Sequence, residues 1–182
     1  MCADTIVSMN RTVFHAIDRR LTYWLAEHGL TILRISIGII FVWFGVLKFW
    51  PGLSAADQLA TDTIDKLSFG LVSQDVARVL LAVLETAIGI GLLTGKFLRL
   101  TLLMLVFQML GAATPLFLFP ELTWSQPFVP TLEGQYIIKN LVVVSAALTI
   151  GATVRGGRLV DDPKNIISTP KPPGQLVTPR EA

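Results

Sequence analysis

The chain reads as an all-α membrane protein, with four transmembrane helices in an up-down-up-down bundle and an N-terminal interfacial helix. Three observations predict this. Hydrophobic residues make up 52% and charged residues 15% of the 182, with a mean hydropathy of +0.62, which is too apolar for an ordinary water-soluble domain. Four runs, Leu30–Trp50, Val76–Gly95, Leu100–Phe119 and Tyr136–Val154, each reach the roughly 20 helical residues that cross a hydrocarbon core of about 30 Å. A water-soluble bundle would show a polar face on each helix, and these runs have almost none. The third observation is how the bases are distributed. Arg11, Arg19 and Arg20 precede the first run, Lys96 and Arg99 separate the second from the third, and Arg155, Arg158, Lys164, Lys171 and Arg180 follow the fourth. The connections Pro51–Asp75 and Pro120–Gln135 hold only Lys66. By the positive-inside rule the protein is a multi-pass protein of the cell inner membrane with both termini cytoplasmic.

Residues 1–29 are expected to form a cytoplasmic segment. Within it Val13, Ile17, Leu21, Trp24, Leu25 and His28 recur at helical spacing, the pattern of an amphipathic helix in the headgroup layer anchored by Tyr23 and Trp24. Gly29 is then expected to turn the chain into the first span. No short apolar stretch ending in a cleavage site precedes it, so a removed signal peptide is not expected. Residues 30–155 make the transmembrane domain. Its first outer loop is acidic (Asp57, Asp62, Asp65, Asp75) and has room for a short helix that packs over the bundle mouth through Leu59, Ile64 and Leu67. The third span carries Thr114-Pro115, a kink signal. The next loop is rich in Pro and aromatics (Pro120, Trp124, Pro127, Phe128, Pro130) and suits an ordered cap. Residues 156–182, with Gly156-Gly157 and the proline-rich run from Pro163, read as a flexible cytoplasmic tail.

Several functions are excluded by residue inventory. The one cysteine, Cys2, rules out a disulfide framework or a CxxC pair within the chain. His15 and His28 both precede the first span, so no intramembrane histidine ligates a haem. No metal-ligand spacing, nucleophile–base pair or nucleic-acid-binding stripe is present, and no intrinsic cofactor is expected.

The chemistry-bearing residues lie inside the spans. A carboxylate facing lipid costs several kcal/mol, so Glu85 is expected to face the protein interior with a partner. At about 100° per residue, Arg34, Gly38, Phe41, Gly45 and Lys48 share one stripe of the first span, and Arg78, Ala82, Glu85 and Gly89 share one of the second. Small residues on both stripes allow close helix approach. The expected ligand-binding set is Lys48, Arg78, Glu85, Lys139 and Asn140, converging in the external half of the bundle. Arg34, on the other side of the midplane, marks a secondary polar site. Up to three bases against one carboxylate leave positive charge over, which suits an anion or a quinone carbonyl. The alternative is that Glu85 pairs with one base and the remaining bases snorkel to the headgroups.

These residues carry a resemblance. LRISIGIIFVWFGVLKFWP, LETAIGIGLLTGK, GAATP and EGQYIIKNLVVVSAAL resemble the YkgB-like (reactive-chlorine-resistance) inner-membrane proteins of the DoxX-like group, over about Leu30–Arg155. Such proteins usually have Lys-Asp where this chain has Lys139-Asn140. The resemblance implies a four-helix inner-membrane protein of oxidative or electrophile stress. The wider group is similar to the membrane subunit of a thiosulfate:quinone oxidoreductase, which implies a quinone connection. The leading reading is thus a component of oxidant defence that binds a quinone or small anion and works with a soluble or membrane oxidoreductase partner. Two others stand beside it: a small homo-oligomeric transporter or channel, and a membrane scaffold for a soluble oxidoreductase.

Overall fold

The computed structural model describes residues 2–54 and 57–157, with side chains from Ile17 onward. The tail from residue 158, the side chain of Val13 and the bases Arg11, Arg158, Lys164, Lys171 and Arg180 lie outside the described residues. The helices are α1 (Cys2–Leu47), α2 (Asp57–Leu67), α3 (Gln74–Thr94), α4 (Leu98–Ala113), two single turns α5 (Pro115–Leu118) and α6 (Pro120–Thr123), and α7 (Leu132–Thr153). Between α6 and α7 the strands β1 (Trp124–Gln126) and β2 (Val129–Pro130) pair antiparallel, Trp124 opposite Pro130. Among the described residues four helical stretches are long and apolar enough to cross a membrane: Ile17–Leu47, Gln74–Thr94, Leu98–Leu118 and Leu132–Thr153.

α1 departs from expectation at Gly29. The helix runs through this glycine without a break. A single helical glycine costs only about 1 kcal/mol, and nothing lies within 4 Å of the place where its Cβ would be, so no neighbour bends the chain there. At ~1.5 Å per residue the 46 residues of α1 extend about 70 Å, more than twice a hydrocarbon core. Tyr23 and Trp24 are exposed, and the Trp24 ring stacks on His28 with centroids 5.0 Å apart.

Glycines set how α1 meets α3. A Cβ on Gly89 would lie 2.6 Å from the Val42 amide nitrogen and 2.9 Å from the Gly38 carbonyl oxygen. A Cβ on Gly45 would lie 2.7 Å from the Thr86 amide nitrogen. The two backbones therefore touch along the small-residue stripes, and residue numbers rise along α1 as they fall along α3. Gly91 leaves room for the Thr101 side chain of α4, a side-chain and not a backbone contact. Around these contacts Ile37, Phe41, Ile88, Leu92, Leu102, Leu105, Met109, Ala146, Ala147 and Ile150 form one core drawn from α1, α3, α4 and α7.

The loops are tied down by hydrogen bonds. α2 buries Thr61 and Thr63, whose hydroxyls bond back to carbonyls of their own helix, whereas Leu67 is half exposed. Lys66 Nζ donates to the Leu118 carbonyl at 2.8 Å and sits 4.4 Å from the Phe119 ring centroid, joining α2 to α5. Thr114 and Pro115 separate α4 from α5, and the Thr114 hydroxyl donates to the Gly111 carbonyl at 2.6 Å. Thr131 caps α7, accepting from the Gly134 amide and donating to the Leu122 carbonyl.

Candidate functional site

Glu85 lies near the middle of α3, and each of its carboxylate oxygens takes one donor. Lys48 Nζ donates to Oε2 at 2.7 Å, and Gln108 Nε2 donates to Oε1 at 2.8 Å. Lys48 and Gln108 are each 7% exposed and the Glu85 side chain 14%, so the pair is largely but not wholly buried. Local sequence explains the meeting. α1 ends at Leu47, and Lys48 sits in the following turn, its amide bonded to the Gly45 carbonyl at 3.2 Å. Gly45 has no side chain to hold α3 away, and its Cβ position is 3.0 Å from the Glu85 Cβ. The lysine stem then covers the short distance to the carboxylate.

Two buried polar atoms beside this pair have no partner among the described residues, Gln108 Oε1 and the Thr86 hydroxyl oxygen. Lys48 carries three ammonium protons, one of them committed to Glu85. The centre thus offers a donor, an acceptor and a hydroxyl around a neutral ion pair. Gln108 and Thr86 were not among the expected site residues. The signal available in the sequence was an amide in an otherwise apolar helix, which stands out once Glu85 is known to need a second donor.

The remaining expected residues go elsewhere. Arg78 does not join Glu85. It faces Asp57 of α2 at 3.7 Å and bonds Asp75, one turn before it on α3. Both acids lie nearer to it than Glu85, which is two turns deeper. Lys139 is exposed, its Nζ 5.3 Å from the Tyr136 ring centroid, a cation–π contact. Asn140 is half-buried. α7 is buried at Gly134 and again at Ala146, Ala147 and Ile150, and Lys139 falls in the open stretch between them. The expected convergence of five residues therefore reduces to Lys48 and Glu85, and the expected positive surplus is absent from the pair. Arg34 lies within α1, about four turns from Lys48 and at the other end of the contact with α3, its guanidinium packed against Gly95, the left-handed C-cap of α3. Among the described residues no group of three His, Cys, Asp or Glu side chains is placed to hold a metal.

Arg78 ties the outer helix to the bundle, and its removal should show there. For Arg78→Gln we expect amide exchange in α2 to quicken about fivefold, the equivalent of about 1 kcal/mol for partly exposed ion pairs. Hydrogen exchange read by mass spectrometry checks this, with Lys48–Glu85 left intact.

Four membrane-length apolar helices around a buried lysine–glutamate–glutamine centre define an integral membrane protein of the small helical type. The DoxX family profile matches residues 29–120, just over half of the 182 residues. The chain belongs to the DoxX family. The matched stretch holds Lys48, Arg78, Glu85 and Gln108 and stops before α7, so Lys139 and Asn140 fall outside it. No curated protein and no solved structure matches the chain.

Proposed function

We propose that this DoxX family protein is a YkgB-like inner-membrane component of oxidant or electrophile defence whose Lys48–Glu85–Gln108 centre receives the head of a quinone. The observation that carries this reading is the orphan acceptor Gln108 Oε1 beside a buried lysine with protons to spare. A quinone carbonyl accepts from Lys48, and the corresponding quinol hydroxyl donates to Gln108 Oε1. Glu85 orients both side chains, and the Thr86 hydroxyl supplies either role. Because Lys48 and Glu85 neutralise each other, the centre suits a neutral carbonyl ligand better than the small anion that three convergent bases would favour. Quinone, when bound, supplies the electron-carrying chemistry. The protein residues bind and orient it, and a redox partner exchanges the electrons.

In this reading the helices form an up-down-up-down bundle with both termini cytoplasmic, supported by Lys96, Arg99 and Arg155 at the loop and helix end they occupy. Lys48 and Arg78 then sit toward the external face. Residues 30–155 are the membrane domain, residues 1–29 the cytoplasmic segment that meets the headgroups, and residues 156–182 the tail.

The test is lipid extraction from the detergent-purified protein, followed by titration with a short-chain quinone. We expect quinone in the extract and saturable binding. Lys48→Met and Gln108→Leu should each weaken binding about tenfold, in line with the loss of a hydrogen bond worth roughly 1.5 kcal/mol. Each variant is to be shown folded by its melting temperature. An extract free of quinone together with no saturable binding overturns the reading.

A further inference from the structure

The basic end of the bundle carries charge that the centre does not use. Arg34 is half-buried and packed on Gly95, yet no salt bridge or hydrogen bond joins it to another described residue. Lys96 and Arg99, exposed, follow Gly95 directly at the start of α4. Arg155 follows the end of α7, whose Gly151 lies against Leu102 of α4, so it belongs to the same end. Among the described residues most acids are at the opposite end, Asp57, Asp62 and Asp65 in α2, Asp75 and Glu133 at helix starts and Glu121 in α6, while Asp18 and Glu27 lie on α1 before Arg34. Glu27, the nearest acid on α1, is two turns from Arg34 and faces His28 at 4.0 Å.

Apolar surface adjoins these cations. Phe97 is 83% exposed, held in a left-handed conformation at φ 51 between Lys96 and Arg99. A shallow furrow lined by Ile39, Val42, Trp43, Val46, Leu47 and Leu93 starts on α1 five residues beyond Arg34 and runs away from it toward Lys48. From Ile39 to Leu47 it spans about 12 Å at ~1.5 Å per residue.

We propose that this end is a binding site for one anionic phospholipid, its phosphate held by Arg34 with Lys96 and Arg99 and an acyl chain laid in the furrow. Charge complementarity selects an anion, and the furrow selects an anion attached to a chain. A soluble phosphate has no use for the apolar half of the site. Arg34 supplies the specific contact because its guanidinium is already pinned by Gly95 and loses little freedom on binding. Lys96 and Arg99 add the general attraction of exposed cations for an anionic headgroup. The inference stands apart from the quinone reading, since it uses none of Lys48, Glu85 or Gln108.

The experiment takes the full chain in detergent and adds phosphatidylglycerol, phosphatidylcholine with the same chains, or glycerol phosphate. Native mass spectrometry reads retention, and thermal melting reads stabilisation. We expect phosphatidylglycerol to be retained at one copy and to raise the melting temperature, with little effect from the other two. Arg34→Gln should weaken that affinity about fivefold, the cost of one cation at an anionic headgroup, and Lys96→Gln with Arg99→Gln should weaken it further. The double variant alters only exposed positions, so it keeps the test valid if Arg34→Gln folds poorly. A brominated phosphatidylglycerol should quench tryptophan fluorescence less in Trp43→Phe than in the unaltered chain. Equal retention of phosphatidylcholine, equal binding of glycerol phosphate, or affinity unchanged in the double variant would each overturn the proposal.

Discussion

Glu85→Ala is expected to destabilise the protein by about 3–5 kcal/mol, because it leaves a buried lysine with no counter-charge. Lys48 is 7% exposed and its only ion pair among the described residues is with Glu85. Removing that carboxylate also leaves Gln108 Nε2 without its acceptor. Denaturant titration in mixed micelles reads the loss. The partner substitution separates charge from packing. Lys48→Met combined with Glu85→Leu removes both charges at once and is expected to recover most of the stability, since replacing both members of a buried pair by apolar groups is often neutral. A double variant as unstable as Glu85→Ala alone would mean that the ion pair is not what holds α1 to α3 at this level. The same double variant should not bind quinone, which makes stability and ligand binding independent readouts of one centre.

The second large effect is expected at Gly89. Gly89→Leu pushes a side chain into the Val42 amide nitrogen at 2.6 Å and the Gly38 carbonyl oxygen at 2.9 Å, both backbone atoms that cannot rotate aside. α1 and α3 must then move apart along their whole small-residue seam. Overpacking of this kind costs roughly 1–3 kcal/mol and more where backbone is the obstacle. Lys48 and Glu85 lie along the same seam, so the variant is expected to weaken quinone binding as well as stability. Gly111→Ala is the control, because nothing lies within 4 Å of its Cβ position. It is expected to be neutral or to gain up to about 1 kcal/mol from helix propensity. Equal melting temperatures for Gly89→Leu and the unaltered protein would show that close backbone contact at Gly89 is not what holds α1 to α3.

Periodicity made half of the centre legible. Gly45 and Lys48 share one face of the first span, and Glu85 and Gly89 share one face of the second, so small residues and opposite charges were already matched on two helices. Arg78 lies on that same face and yet does not meet Glu85, because its nearest carboxylates are Asp75 on its own helix and Asp57 on α2. A face defines a direction from one axis, and it carries no information about a loop helix that returns to cover it. Gln108 stands out as an amide in an otherwise apolar helix but not as a partner of Glu85, because that depends on how far α4 is rotated about its axis. Lys139 illustrates the converse. Its position suited the cluster, but no residue of α7 between Gly134 and Ala146 is fully buried, and the ammonium rests on Tyr136 instead.

By itself the sequence determined that this is a membrane protein with four apolar spans, that its bases segregate to one set of loops, and that Glu85 needs an interior partner. These follow from transfer free energies and helical period, which are local properties of the chain. Only the tertiary structure decided that the partner is Lys48 with Gln108, that Arg78 latches α2, and that α1 continues unbroken through Gly29. Each of those depends on the rotation, tilt and separation of neighbouring helices, and in lipid such quantities are set by backbone-to-backbone packing at Gly38, Gly45 and Gly89, where no hydrophobic gradient points the way.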